Sequence, residues 1–399
     1  MDILVRQNDT FNRYSKLFSV PLLLIVDSNP NVNPNQLNIG QVVKIPGYVA
    51  WTYTVQQGDT YWTIHRRFNV PLDALLFINP LIQPNQLTAG MMIRIPSRVE
   101  NQPNSRAMNY SYAELERDIE ELKSKYPFMT VSEVGRSVEG RQLTMIKIGT
   151  GSNRVQWNAS FHANEWITTP ILVSLLDDHL WHLTNSDSSE HQRRMATYEQ
   201  TSLYVIPMVN PDGVELVING PSEDNEQKVV AINNGSHDFT GWKANIEGVD
   251  LNDQFPAGWE IEKESNNVSA PAPRDYPGVA PLNQPESQAM AELARQIPFN
   301  LVIALHTQGE EFYWGYEGLE PPISQRYASL FSASSGYRSV RYVDSHAGYK
   351  DWFIYEFRKP GFTFELGSGV NPLHLDQFPE IYAAMAPVFI QSVELLGSD

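Results

Sequence analysis

No cysteine occurs among the 399 residues. That excludes disulfides, thiolate metal sites and a thiol nucleophile together, and it fits a reducing compartment. Basic residues are scarce: 29 Lys and Arg stand against 46 Asp and Glu, a formal net charge of −17. Such an acidic surface repels phosphate backbones and anionic bilayers, so neither nucleic acid nor membrane is expected as a partner. No run approaches the roughly 18 apolar residues of a membrane span. The opening residues, Met1-Asp2-Ile3-Leu4-Val5-Arg6, lack the basic start and apolar core of a secretory signal. The expected localisation is therefore cytoplasmic.

What is present, first of all, is a repeat. Val5-Arg6-Gln7-Asn8-Asp9-Thr10 recurs as Val55-Gln56-Gln57-Gly58-Asp59-Thr60. Val20-Pro21-Leu22 recurs as Val70-Pro71-Leu72, Asn29-Pro30 as Asn79-Pro80, and Ile45-Pro46 as Ile95-Pro96. The offset never changes, which marks a duplicated unit. Each copy reads as strand, helix, helix, strand. Thr10 or Asp9, and Thr60 or Asp59, supply the first helix cap. Pro21 and Pro71 open the second helix, and Asn-Pro ends it. The closing strands fall at 41–45 and 91–95.

These motifs resemble the LysM module family, whose marks are V-x-x-G-D-T, a central N-P and a closing I-x-I-P. The first copy departs by carrying Asn8 at the usual glycine. The resemblance implies binding of N-acetylglucosamine-containing glycan, so peptidoglycan or its muropeptide fragments is the expected partner. A pair of folds retained as a spacer is the alternative. The expected boundaries are 1–47 and 51–97 for the modules, 98–109 for a polar linker and 110–399 for a further domain.

In that last domain Ser111 and Glu114 mark a capping box ahead of a helix. Apolar runs at 143–148, 155–161, 203–209, 301–305 and 362–366 then alternate with helical stretches, and a helix closes the chain at 380–396. The expected fold is α/β, a mixed, largely parallel sheet flanked by helices.

Chemistry concentrates at the ends of these runs. His162 and Glu165 follow 155–161, spaced so that a turn aims both at one point. His306 ends 301–305, with polar Thr307 and Gln308 behind it. Two imidazoles and a carboxylate suit a catalytic zinc with one open position. A hydrogen-bonded core histidine is the plainer reading of His306. Glu365 interrupts the apolar run Phe362–Leu366, where a carboxylate needs either a partner or a task. As a task, it would take a proton from water and pass it to a leaving amine. His179, His182 and His191 are expected at the surface.

The order H-x-x-E, Gly248-Val249-Asp250-Leu251-Asn252, a strand-end His and Phe364-Glu365-Leu366 resembles the M14 zinc carboxypeptidase family. The resemblance implies one Zn2+ held by His162, Glu165 and His306, with Glu365 as the catalytic carboxylate. Lys243 stands where the family's oxyanion-stabilising Arg is usual. Asn252 is kept from the family's carboxylate clamp, whereas Asp253 replaces the clamp Arg and would repel a C-terminal carboxylate and attract a cation. Thr307 is a further substrate-binding candidate. Tyr342, His346 or Tyr349 would cap the substrate, and a reader for a substrate carboxylate is left open between Arg274 and Lys350, both otherwise surface residues. LysM modules ahead of an M14 domain resemble the wall-cleaving branch of that family in spore-forming bacilli. That implies an endopeptidase for the γ-D-glutamyl–diaminopimelate bond, associated with sporulation. A metallocarboxypeptidase acting on other peptides is the alternative.

Overall fold

The computed structural model describes residues 1–397. Its contacts separate two compact units. One holds residues 1–102, 118–130 and 177–196; the other holds 103–117, 131–176 and the chain from 197 onward.

In the first unit each repeat pairs its outer strands antiparallel: Asp2–Leu4 with Val42–Lys44, and Tyr48–Thr54 with Met92–Arg98. The helices between them are Phe11–Phe18 and Leu22–Asp27, then Tyr61–Phe68 and Leu72–Ile78. Thr10 and Thr60, not the aspartates, cap the first helices, accepting from the backbone N–H of Arg13 and Thr63. The aspartates brace the turn instead. Asp59 accepts the Gln56 N–H at 2.8 Å, the Tyr53 hydroxyl at 2.7 Å and Arg67 at 2.8 Å. Asp9 accepts the Arg6 N–H, Tyr14 hydroxyl and Arg13 in the same way. Asn29 and Asn79 do a second repeated job. Asn79 Nδ2 donates to Leu75 O and Arg94 O, and its Oδ1 accepts the Arg94 N–H at 2.8 Å, tying helix end to strand. Asn29 does the same with Ile25 and Lys44. Asn8 takes the left-handed φ of 69° that Gly58 takes at 86°, a conformation Asn tolerates better than most residues. The unit also contains the stretch that pins Gly47 N–H to Lys125 O and Trp181 Nε1 to Val99 O. His179 is buried there and His182 and His191 are half-buried, correcting the expected surface positions.

The second unit is built on an eight-stranded sheet. Its order is Arg338–Val340, Glu311–Tyr313, Gly361–Glu365, Leu301–His306, Asn153–Ala159, Thr201–Ile206, Gln142–Ile148 and Thr130–Arg136. The four strands from Gly361–Glu365 to Thr201–Ile206 run parallel. Leu301–His306 and Thr201–Ile206 are buried at every residue, as strands covered on both faces must be. Helices including Pro285–Gln296 and Phe378–Glu394 flank the sheet. The fold is thus the expected mixed, largely parallel α/β sheet. The two three-residue strands at one edge and Thr130–Arg136 at the other were not anticipated. Among the described residues no helix is long and apolar enough to cross a membrane.

The chain leaves Asn153–Ala159 towards Thr201–Ile206 on one side and returns through Leu301–His306 on the other. That divergence opens a crevice at the carboxyl ends of the strands, where open α/β sheets hold their ligands.

Candidate metal centre and active-site cleft

Three adjacent parallel strands deliver the candidate groups. Asn153–Ala159 runs into the turn at His162, which leads to a single 3-10 turn, Ala163–Glu165. Leu301–His306 ends on its histidine, and Glu365 sits directly beside His306 at the end of Gly361–Glu365. Backbone bonds fix the turn from outside: Ala163 N–H donates to Lys243 O, and Asn210 Nδ2 donates to Phe161 O and Ala244 O.

His162, Glu165 and His306 offer one ligand atom each within 4.8 Å of one another, and all three are buried. His162 Nδ1 lies 2.9 Å from Glu165 Oε1, His306 Nδ1 lies 3.1 Å from Glu165 Oε2, and the two Nδ1 atoms are 3.1 Å apart. Ligand atoms 2.0–2.1 Å from one tetrahedral ion stand about 3.3 Å apart, so the set fits a zinc ion. The far sides of the two imidazoles differ. His162 Nε2 faces Asp250 Oδ1 at 3.3 Å, a charge contact without hydrogen-bond alignment, while His306 Nε2 is buried without a hydrogen-bond partner among the described residues. Glu165 is held by the Thr307 N–H at 3.2 Å and Asn371 Nδ2 at 3.4 Å, and Asn371 also binds Thr307 O and the Thr307 hydroxyl.

The electrostatics follow from crowding. Burial alone would lower the His162 pKa, but Glu165 and Asp250 hold it at about 9. Burial would raise Glu165, yet His162 and His306 hold it far below the carboxylate range. Glu365 is pushed up to about 8 by burial and by the nearby Glu165 charge. No described residue donates a hydrogen bond to its carboxylate, and none forms an ion pair with it.

A cleft of 530 Å³ opens over these groups, lined by His162, Glu165, Lys243, Arg274, Thr307 and Glu365 among others. Lys243 Nζ pairs with Asp250 at 2.9 Å and Asp275 at 3.6 Å; burial opposes its charge, but Asp250 and Asp253 more than restore it. Asp253 is buried, with Oδ2 accepting from Asn266 at 3.0 Å, and its pKa is raised by burial and by Asp250. Asn252 Oδ1 accepts the Tyr349 N–H.

Other candidates lie elsewhere. Tyr342 and His346 line a different cavity of 440 Å³, where His346 Nδ1 meets the Tyr316 hydroxyl and Tyr342 bonds Glu320. Tyr349 is no substrate cap: it is fully buried, with its hydroxyl on Gln156. Lys350 is not a surface residue, being buried against Gly315 O and Asp351. Asn371 and Asp250 have partners at the candidate ligands that sequence reasoning did not assign. Asp250 carried a signal as the acid inside the apolar Gly248–Leu251 run; Asn371 carried none.

A sheet of this order with two histidines and a carboxylate at its strand ends defines a class. The chain belongs to the zinc carboxypeptidase family, whose profile matches residues 115–383, and the LysM domain profile matches 3–46 and 53–96. Among curated relatives, gamma-D-glutamyl-L-diamino acid endopeptidase 1 of Lysinibacillus sphaericus is 54% identical over 397 residues, covering 99% of this chain and 100% of that one. Carboxypeptidase B of Bos taurus is 26% identical over 294 residues, 68% of this chain and 66% of its own. The crystal structure of carboxypeptidase A from Helicoverpa armigera shares the fold, with a TM-score of 0.56 at 16% identity over 88% of this chain and 98% of that one.

Proposed function

We propose that this chain is a zinc-dependent endopeptidase that hydrolyses the bond between γ-D-glutamate and the diamino acid, meso-diaminopimelate, in peptidoglycan stem peptides. The observation that carries the chemistry is the convergence of His162, Glu165 and His306 beside an unbonded Glu365. The full-length likeness to a relative named for that bond supports the substrate.

His162 and His306, through Nδ1, and Glu165 would hold the zinc. Bound there, it supplies Lewis acidity for the scissile carbonyl and for the attacking water. Asp250 orients His162, and Thr307 and Asn371 orient Glu165, as partners behind metal ligands do. Glu365 takes a proton as the water oxygen attacks the carbonyl carbon. It delivers that proton to the nitrogen as the C–N bond breaks. Lys243 faces the cleft as the cation for the developing oxyanion, a point charge rather than a fork. Asp253 stands where a carboxylate clamp would need a cation, with Asn252 beside it; burial and Asp250 favour its neutral form, so an ammonium from the far end of the diamino acid would have to restore its charge on arrival.

The LysM modules hold the enzyme on N-acetylglucosamine-containing glycan. Exposed Trp62 and Leu81 on the second module are apolar surface available to a sugar face. We assign the site of action to the cytoplasm of a sporulating cell. A cysteine-free composition fits that compartment.

The test is a digest of L-Ala-γ-D-Glu-diaminopimelate by the zinc-loaded protein, read by mass. Free diaminopimelate and L-Ala-D-Glu are expected, and blocking the C-terminus as an amide should leave cleavage intact. Trimming of ordinary peptides that an amide abolishes would instead support a metallocarboxypeptidase.

A further inference from the structure

Resting on the function proposed above, we infer that Arg274 is the specificity-determining residue that reads the free α-carboxylate of the γ-linked D-glutamyl group. The chemistry of the bond poses the requirement. In a γ-glutamyl linkage the scissile carbonyl is the side-chain carbonyl, so the α-carboxylate stays ionised a few bonds away on the acyl side. An ordinary peptide has no anion tethered there. An enzyme for this linkage needs a cation on the cleft wall with donors to spare.

Arg274 meets that need better than the other basic groups near the cleft. Lys243 pairs with Asp250 and Asp275, and its remaining donor is already assigned to the oxyanion. Lys350 is buried on Gly315 O and Asp351 and does not line the cleft. Arg274 lines the cleft, and its side chain is 62% exposed. Its one bond runs from Nε to Asp275 Oδ2 at 3.1 Å, and among the described residues nothing binds its two terminal nitrogens. Those nitrogens are the fork that meets a carboxylate with two parallel hydrogen bonds.

The backbone on either side of it is fixed by hydrogen bonds. Ala272 N–H donates to Gly248 O, and Pro273 O accepts from both Lys243 and Ala244 N–H. Two residues beyond Arg274, Tyr276 O accepts the Asp250 N–H. Arg274 is thus bracketed by bonds to the same Lys243–Asp250 segment that serves His162. Asp275 then bridges the two cations, holding Lys243 at 3.6 Å and the inner edge of Arg274 at 3.1 Å. The guanidinium is restrained through Nε, and its two terminal nitrogens are without a partner among the described residues. Fixing one edge in advance lowers the ordering cost of the other.

The experiment compares L-Ala-γ-D-Glu-diaminopimelate with the same peptide carrying the D-glutamyl α-carboxylate as a carboxamide. The zinc-loaded full chain should favour the acid roughly 10- to 100-fold in kcat/KM, the range of a charge-assisted pair. Arg274→Gln should collapse that preference by depressing cleavage of the acid far more than of the amide, and Arg274→Lys should restore part of it. Calorimetric binding of both peptides to the Glu365→Gln chain should show the same preference, lost when Arg274→Gln is added. Circular dichroism and melting confirm that each variant is folded. A preference unchanged by Arg274→Gln, equal losses on both peptides, or a wild type indifferent to the carboxylate overturns the inference. A wild type that cuts neither peptide overturns the function itself.

Discussion

Asp59 in the second repeat is buried, Glu365 is half-buried on the cleft wall, and the two carboxylates are treated by their surroundings in opposite ways. Asp59 is saturated. Burial alone would raise its pKa, yet Tyr53, Gln56 and Arg67 hold it below the usual range. Glu365 has no donor among the described residues, and desolvation beside Glu165 pushes it up to about 8. A buried carboxylate with both oxygens engaged by donors is a brace, since protonating it would dismantle the turn. One left without donors is destabilising by itself and persists only where something else uses it.

The largest expected effect tests the chemical side. Glu365→Gln keeps shape and removes the proton carrier, so kcat should fall about a thousandfold with the fold and zinc content intact. A near-normal rate in zinc-loaded Glu365→Gln would show that Glu365 does not carry the proton. The metal site supplies the next effect. His162, held at about 9 by Glu165 and Asp250 against its burial, must lose a proton to become a ligand. Apparent zinc affinity should fall about tenfold for each pH unit below 9, with proton release measurable in weakly buffered titrations. Affinity flat between pH 6 and 8 would show that Glu165 and Asp250 do not hold a proton on His162 in that range.

Glu286 sharpens the comparison because it lies between the extremes. It is fully buried, bonded to the Val138 N–H at 3.1 Å and Asn245 at 3.3 Å, and burial pushes its pKa up to about 7. Its folded pKa lies above the unfolded value, so its contribution is complete in acid. That contribution is lost as pH rises, because the unfolded chain ionises first. On the order of 3 kcal/mol should disappear between pH 4.5 and 7. Denaturant melts across that window should show this slope in the wild type and lose it in Glu286→Gln.

Much of the site was legible because strand ends announce themselves. His162, Glu165, His306 and Glu365 each follow or interrupt an apolar run, and a parallel sheet gathers such ends. The residues that hold them were not legible. Asn371 sits in the non-periodic stretch after Gly367-Ser368-Gly369, and only the fold carries it to Glu165. Arg274 lies in a Pro-rich loop whose course is set by bonds to the Lys243–Asp250 segment. Strands of three residues, such as Glu311–Tyr313, are too short for alternation to register. Lys350 was misplaced because lysine defaults to the surface, whereas here Gly315 O and Asp351 satisfy it inside.

On the structural side, Asn79→Ala should cost about 2 kcal/mol, since it strands the Leu75 and Arg94 backbone groups that its amide serves. A loss below a few tenths would mean that water replaces the amide and that the repeated Asn-Pro is a helix stop only.

The smallest effect separates the two repeats. Thr60 accepts the Thr63 N–H at 3.1 Å while its own N–H donates to the Thr63 hydroxyl at 2.8 Å. In the first repeat Arg13 stands in place of Thr63, so Thr10 accepts one bond and receives nothing back. Substituting a capping Thr by Ala costs about 1 kcal/mol. Thr60→Ala should meet that figure, because it removes the accepting half of a reciprocal pair, and Thr10→Ala should cost less. Thr63→Ala supplies the control: it breaks the return bond alone and should land between the two. If urea melts show Thr10→Ala to be the costlier change, reciprocity is not what stabilises the second repeat. The difference would then lie beyond the cap, in how each helix packs under its strands.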